Sequence, residues 1–211
     1  MAKVEPFEKF TLDYENWFER NDKLYLSELK LLKDLIKEEH YKNSVEVGVG
    51  SGRFAQPLGV KYGVDPSMAM LKIALQRGIK VVKGIAEELP LKSSLFDFVL
   101  TVTTICFVDD IAKTFKEIER ILKPKGFLVV GFVDRSSFLG QLYEKKKPYS
   151  KFYKPATFYS TEEVIQIAHK YTSLKLERVK QTIFGIENKI YPAKEGWGEG
   201  AFVGLLFRKP L

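Results

Sequence analysis

The sequence predicts a doubly wound α/β fold: a seven-stranded, mostly parallel sheet with an antiparallel last strand, plus helical caps at the N-terminus and after strand five. Three observations predict it. Strand-sized apolar segments alternate with helix-sized amphipathic ones, which requires right-handed crossovers and a parallel sheet covered on both faces. The last two strand candidates have no helix between them and can pair antiparallel. A glycine-rich stretch follows the first strand, where such sheets hold their ligands.

In the N-terminal arm, Tyr25, Leu29, Leu32 and Ile36 share one helical face, and the helix is expected to end near Glu39. Residues 43–47 read as a short buried strand broken by GVGSG, with a helix expected after the turn. Residues 60–64 form the second strand, ending at Asp65-Pro66. Ser67 and the proline suit the start of a helix that runs to about Arg77, where Gly78 stops it. Residues 79–82 and 95–101 are the third and fourth strands. Ile111, Phe115, Ile118 and Leu122 then line one face of the clearest helix, with Asp109 and Asp110 at its positive end. Lys123-Pro124-Lys125-Gly126 terminates it before a fifth strand at 127–133. Ser160 or Thr161 caps a later helix in which Glu162 or Glu163 closes a capping box. Residues 174–184 and 201–207 complete the sheet.

The 211 residues suffice for one domain, expected to span 1–211: an arm (1–40), a ligand-binding core (43–133), a cap and helix (134–172) and C-terminal strands (173–211). No apolar run approaches the roughly 18 residues of a membrane span. Cys106 is the sole cysteine, and His40 and His169 stand far apart, so neither a disulfide nor a metal site is expected. A cytoplasmic setting follows. The net charge of +7 leaves a nucleic-acid partner open, although only Lys145, Lys146 and Lys147, followed by Lys151 and Lys154, cluster visibly.

The turn VEVGVGSGRF offers glycines at 48, 50 and 52, where backbone can approach a ligand without a Cβ in the way. A dinucleotide fingerprint would place its third glycine at 53, which is Arg53. Asp65, seventeen residues after Gly48, ends strand two, where a carboxylate can accept hydrogen bonds from both hydroxyls of a ribose. Capping before Ser67 is its alternative role, and the two are compatible.

At these residues the chain resembles the class I S-adenosylmethionine-dependent methyltransferases, with their Rossmann-like fold, particularly the small-molecule branch that includes ubiquinone-biosynthesis-type enzymes. VEVGVGSGRF looks like motif I and YGVDPSMAML like the ribose-binding segment. GIAEELPLKSSLFDFVLT and IAKTFKEIERILKPKGFLVV resemble the segments around strands three to five. The resemblance implies S-adenosylmethionine as cofactor and S-adenosylhomocysteine as product. Gly48, Gly50 and Gly52 would lie against its methionine part, with Glu46 orienting the loop and the amino group. Asp65 would hold the ribose, Pro66 and Met68 would pack near adenine, Ala86 and Glu87 would border its edge, and the Thr103 backbone would approach the amino or sulfonium end. Ile85 stands where many relatives are acidic, Lys125 where they have glycine, and 103–107 lacks the histidine that some carry.

Methyl transfer from a sulfonium needs alignment more than acid–base chemistry. No catalytic base is named: His40 lies at the wrong sheet edge, His169 reads as structural, and Asp109 and Asp134 suit capping and loop roles equally well. Tyr14, Trp17 and Phe18 resemble a pattern that folds over the cofactor, and the segment after strand five is rich in aromatic residues. These features point to a small-molecule acceptor. RNA or protein methylation is the alternative. A nicotinamide-dependent oxidoreductase, disfavoured by Arg53, and a non-catalytic cofactor-binding protein rank lower.

Overall fold

In the computed structural model, which describes residues 3–211, the arm is three helices: α1 (Glu5–Lys9), α2 (Thr11–Arg20) and α3 (Asp22–Ile36). There follow β1 (Ser44–Val47), β2 (Tyr62–Asp65), α4 (Met68–Gln76), β3 (Lys80–Lys83), β4 (Phe96–Val102), α5 (Ile111–Ile121) and β5 (Leu122–Val133). After them come α6 (Phe138–Lys146), α7 (Thr161–Tyr171), β6 (Lys175–Thr182), β7 (Lys194–Glu195) and β8 (Phe202–Arg208). The strands form one sheet in the order β3-β2-β1-β4-β5-β8-β6-β7. The first five run parallel, and β8 lies antiparallel between β5 and β6.

The sheet therefore has eight strands, not the expected seven. The extra one is the two-residue β7, which pairs with β6 at the edge. Lys180 holds it there by bridging Asp34 and Glu195 across 2.6 and 2.5 Å. Two exposed charged residues carry no periodicity, so this strand has no signature in sequence.

The helix expected after the glycine turn is also replaced. Gln56 N–H donates to Gly52 O and Leu58 N–H to Phe54 O, but these bonds do not extend into a helix. Pro57 offers no N–H and Gly59 turns left-handed (φ 70°), so 51–59 remains a chain of turns. Strand β5 starts early, at Leu122. Its pairing with β4 jumps from Phe96–Leu122 to Phe98–Phe127, leaving the Lys-Pro-Lys-Gly segment as a bulge with Lys125 at φ 63°.

Helix α3 packs on one face of the sheet with Leu31, Leu32 and Leu35 fully buried, each contributing about 1.5–3 kcal/mol. It comes close because Gly131 of β5 and Gly204 of β8 are direct partners. A Cβ at Gly204 would stand 2.5 Å from Leu31 Cδ2 and one at Gly131 3.3 Å from Leu32 Cδ2. Helices α5 and α7 cover the opposite face. The Ser160–Glu163 capping box opens α7, and Asp110, not Asp109, caps α5 by accepting from Lys113 N–H at 2.9 Å. Among the described residues no helix is long and apolar enough to cross a membrane.

Candidate functional site

A cavity of about 220 Å³ runs along the carboxyl ends of the strands, roofed by the arm. Its floor comes from Gly48 and Gly50 after β1, Asp65 and Pro66 at β2, Ala86 and Glu87 after β3, and Thr103 and Thr104 after β4. Seven of the residues named from sequence thus meet here: Gly48, Gly50, Asp65, Pro66, Ala86, Glu87 and Thr103. Glu46, Gly52 and Met68 lie outside the lining.

The three glycines of the turn do different work. A Cβ on Gly50 (φ 51°) would project toward the Tyr14 hydroxyl at 3.5 Å and meet nothing nearer, so this backbone is open to the cavity. On Gly48 (φ 74°) it would strike the Thr104 side chain at 2.1 Å, and on Gly52 (φ 84°) Ile79 Cδ1 at 2.4 Å. The latter two glycines let neighbouring segments pack.

Asp65 is buried and ties the site together. One oxygen accepts from Gly50 N–H and the other from Ser67 N–H, both at 2.8 Å. Burial pushes its carboxyl up to about 6 despite those bonds. A carboxylate offers about four acceptor positions, so about two remain toward the cavity. Glu46 is almost fully buried; it accepts from Ala55 N–H while its Oε2 has no partner, and burial holds it well above the usual carboxylate range.

Glu87 accepts from Asp109 N–H at 2.6 Å and Asp110 N–H at 3.3 Å, so it fastens the loop before α5. Thr103 adopts φ 51° and donates its N–H to Gly131 O at 2.7 Å. Met68 opens α4 and is 45% exposed. Asp134 serves a structural end, accepting from Thr161 Oγ1 at 2.6 Å and Ser136 N–H at 2.7 Å. His169 meets the ring of Phe207 edge-on.

The arm closes the cavity with Phe7, Tyr14, Trp17 and Phe18, and Phe152 packs against both Phe7 and Tyr14. Its anchor is an ion cluster absent from the sequence reading. Glu15 accepts from Arg53 Nη2 at 2.8 Å and Arg77 Nη2 at 2.5 Å, and these cations hold its carboxyl below the usual range against burial. Arg77 also donates to Ser51 O at 2.6 Å, joining arm, turn and α4. Arg53, which breaks the dinucleotide spacing, thus has a structural task.

Glu28 is the other residue that sequence reasoning missed. It lines the cavity from α3, is 6% exposed, and burial alone pushes its carboxyl up to about 8. The signal was there: Leu24, Glu28, Leu31 and Leu35 share one helical stripe, an acid among leucines. No group of three or more His, Cys, Asp or Glu suited to a metal occurs among the described residues.

The sequence model of the methyltransferase domain family matches residues 45–130, from β1 almost to the end of β5. A crystal structure from Thermotoga maritima, described as an S-adenosylmethionine-dependent methyltransferase and possible histamine N-methyltransferase, shares 50% identity; the match covers 98% of this chain and 99% of that one, with a TM-score of 0.93. An uncharacterized Methanocaldococcus jannaschii protein is 43% identical over 205 residues, 96% of this chain and 98% of its own length. The N-methyltransferase NodS of Bradyrhizobium japonicum, crystallised with S-adenosylhomocysteine, shares the fold at 16% identity and a TM-score of 0.64, over 87% of this chain and 86% of its own.

Proposed function

Since this chain belongs to the S-adenosylmethionine-dependent methyltransferases, we propose that it delivers the methyl group to a nitrogen, oxygen or carbon of a small molecule enclosed under the arm. The cofactor, when bound, supplies a methyl already activated on sulfonium. The chain's residues then bind, orient and exclude water. Orientation alone is worth roughly 7–11 kcal/mol in well-aligned systems.

The residues fit that cofactor. In our reading Asp65 turns its remaining acceptor positions to the ribose hydroxyls. Gly50 provides open backbone for the methionine part, and Gly48 lines the cavity beside it while letting Thr104 pack close. Pro66, Ala86 and Glu87 border adenine, where Ile85 supplies packing in place of a charge, and Thr103 flanks the sulfonium end. Glu46, Gly52 and Met68 shape the turn and α4 from outside the lining. The single-domain organisation over 1–211 belongs to the same reading.

The observation that carries the small acceptor is the lining itself. In a chain of net charge +7, the cavity presents four acids, Asp13, Glu28, Asp65 and Glu87, against one base, Lys3. Such a lining offers a phosphate a single cation and favours neutral or cationic guests. The Thermotoga neighbour, described as a possible histamine N-methyltransferase, supports a small acceptor too.

Calorimetry with S-adenosylhomocysteine and NADH in parallel tests the donor side. Binding of the first, weakened at least tenfold in Asp65→Asn, is expected. NADH binding without it overturns the reading. Salt-sensitive labelling of tRNA or peptide, with no small metabolite labelled, would favour the macromolecular alternative.

A further inference from the structure

The charged side chains around the cavity are engaged, with one exception. Asp13 pairs with Lys151 at 2.8 Å. Asp65 holds Gly50 and Ser67, and Glu87 holds the backbone of Asp109 and Asp110. Lys3 donates to Val108 O and Thr157 Oγ1, both at 3.3 Å. Glu28 has no hydrogen-bond or ion-pair partner among the described residues, although it is buried on a helix that nothing obliges to carry an acid there. A buried carboxyl without a partner costs stability. Its location gives that cost a purpose.

Helix α3 packs against β5, β8 and β6, whereas Asp65 ends β2, three strand positions before β5 in the sheet. At about 4.8 Å per strand these lie roughly 14 Å apart along the sheet. Asp65 and Glu28 therefore serve different regions of the cavity, and the region near Glu28 is the one left for the acceptor. The titratable neighbours that feel Glu28 are Tyr14 of α2, Tyr25 of its own helix, Tyr143 of α6 and Tyr153 of the following loop. Burial raises all four phenols, so they stay neutral and add no charge beside the Glu28 carboxyl. Tyr143 and Tyr153 stack at 4.9 Å, presenting aromatic walls. Aromatic faces around a lone carboxylate form a receptor for an organic cation.

We propose that Glu28 receives the basic nitrogen of the methyl acceptor, which makes the acceptor an amine and Glu28 the group that takes its proton. This rests on the methyltransferase reading with a small acceptor. The amine enters as ammonium, the Glu28 carboxyl gives up its own proton to solvent to pair with it, and the resulting carboxylate then takes one N–H proton, which exposes the nitrogen lone pair. That pair forms the N–C bond to the methyl carbon as the C–S bond breaks, and the electrons of that bond remain on sulfur. The methylated nitrogen leaves as a cation and the thioether as a neutral group.

The test uses the full-length protein saturated with S-adenosylhomocysteine, titrated by calorimetry with phenethylamine and tryptamine and with their alcohols, 2-phenylethanol and tryptophol. The wild type is expected to prefer at least one amine over its alcohol, and Glu28→Gln to lose that preference by about 100-fold. Repeating the titration in two buffers of different ionisation enthalpy counts protons. At pH 7 the wild type should release close to one proton on binding amine, and Glu28→Gln none. Normal S-adenosylhomocysteine binding by the variant shows that it is folded. Absence of that binding in the wild type defeats the donor reading itself. Donor binding with no amine preferred over its alcohol, or a preference that survives Glu28→Gln, overturns the role of Glu28 and leaves the donor reading standing.

Discussion

Replacing Glu28 by Gln should make the folded protein less sensitive to alkali, and the size of the effect follows from burial. The carboxyl moves from 4.5 to about 8 on folding, which at 1.36 kcal/mol per pH unit amounts to about 5 kcal/mol. Below pH 4.5 the group is protonated in both states and contributes no pH dependence. Between 4.5 and 8 the unfolded chain ionises while the folded one keeps its proton, so stability falls as pH rises. Above 8 the full penalty stands. Gln cannot titrate, and whatever its buried amide costs is the same at every pH. The difference between the two proteins should therefore shift by about 4 kcal/mol in favour of the variant from pH 4.5 to 8.5. Asp65 titrates in the lower part of this window in both proteins and cancels. Guanidinium unfolding, followed by the fluorescence of Trp17 and Trp197 at four pH values, measures it. Parallel pH profiles, agreeing within 1 kcal/mol across the window, would refute the reasoning.

Three further expectations concern other parts of the molecule. Lys125→Gly relieves a left-handed backbone (φ 63°) and should stabilise by about 1 kcal/mol, read as a higher Tm; an unchanged or lower Tm counts against it. Glu15→Gln removes the acid between Arg53 and Arg77, so protease cleavage in α2 should quicken at pH 7. As the Glu15 carboxyl is held low, its stabilisation is present above the ordinary carboxylate range and lost on acidification; equal cleavage of both proteins at pH 7 contradicts the anchor. Gly50→Ala places a methyl in the cavity near Tyr14 and should weaken S-adenosylhomocysteine at least tenfold by calorimetry, while unaltered affinity would show that the turn does not face the cofactor.

Much of this was legible because it rests on local rules. Alternating apolar segments announced the parallel sheet, and the Asp109-Asp110 pair and the 160–163 capping segment marked two helix starts, within which the structure selects Asp110 and the Ser160–Glu163 box. The glycine turn and Asp65 stood out by spacing, and the structure brings them within one hydrogen bond. What escaped depends on contacts between distant segments. Gly52 looks like its neighbours in sequence, yet it faces Ile79. Arg53 looked like a missing glycine until Glu15 arrived from a helix 38 positions away. Glu28 sits in a leucine stripe that periodicity marks as inward, but only the packing of α3 shows that it lines the cavity. The helix after the turn failed because Pro57 lacks an N–H and Gly59 turns left-handed, which interrupts the helical hydrogen-bond ladder.

The facing pair Gly131 and Gly204 has a consequence for how acceptor choice can drift. Neither lines the cavity, yet together they set how deeply α3 rests on the sheet, and α3 carries Glu28. A carbon added at Gly204 must displace the ends of Leu31 and Leu35 of α3, and one at Gly131 must displace Phe202 and press on Leu32, so either change alters the bed on which the Glu28 helix rests. The fit between acceptor and enzyme can thus be retuned from within the sheet, by residues outside the cavity lining, while the cofactor's turn, two to three strand positions away, keeps its shape.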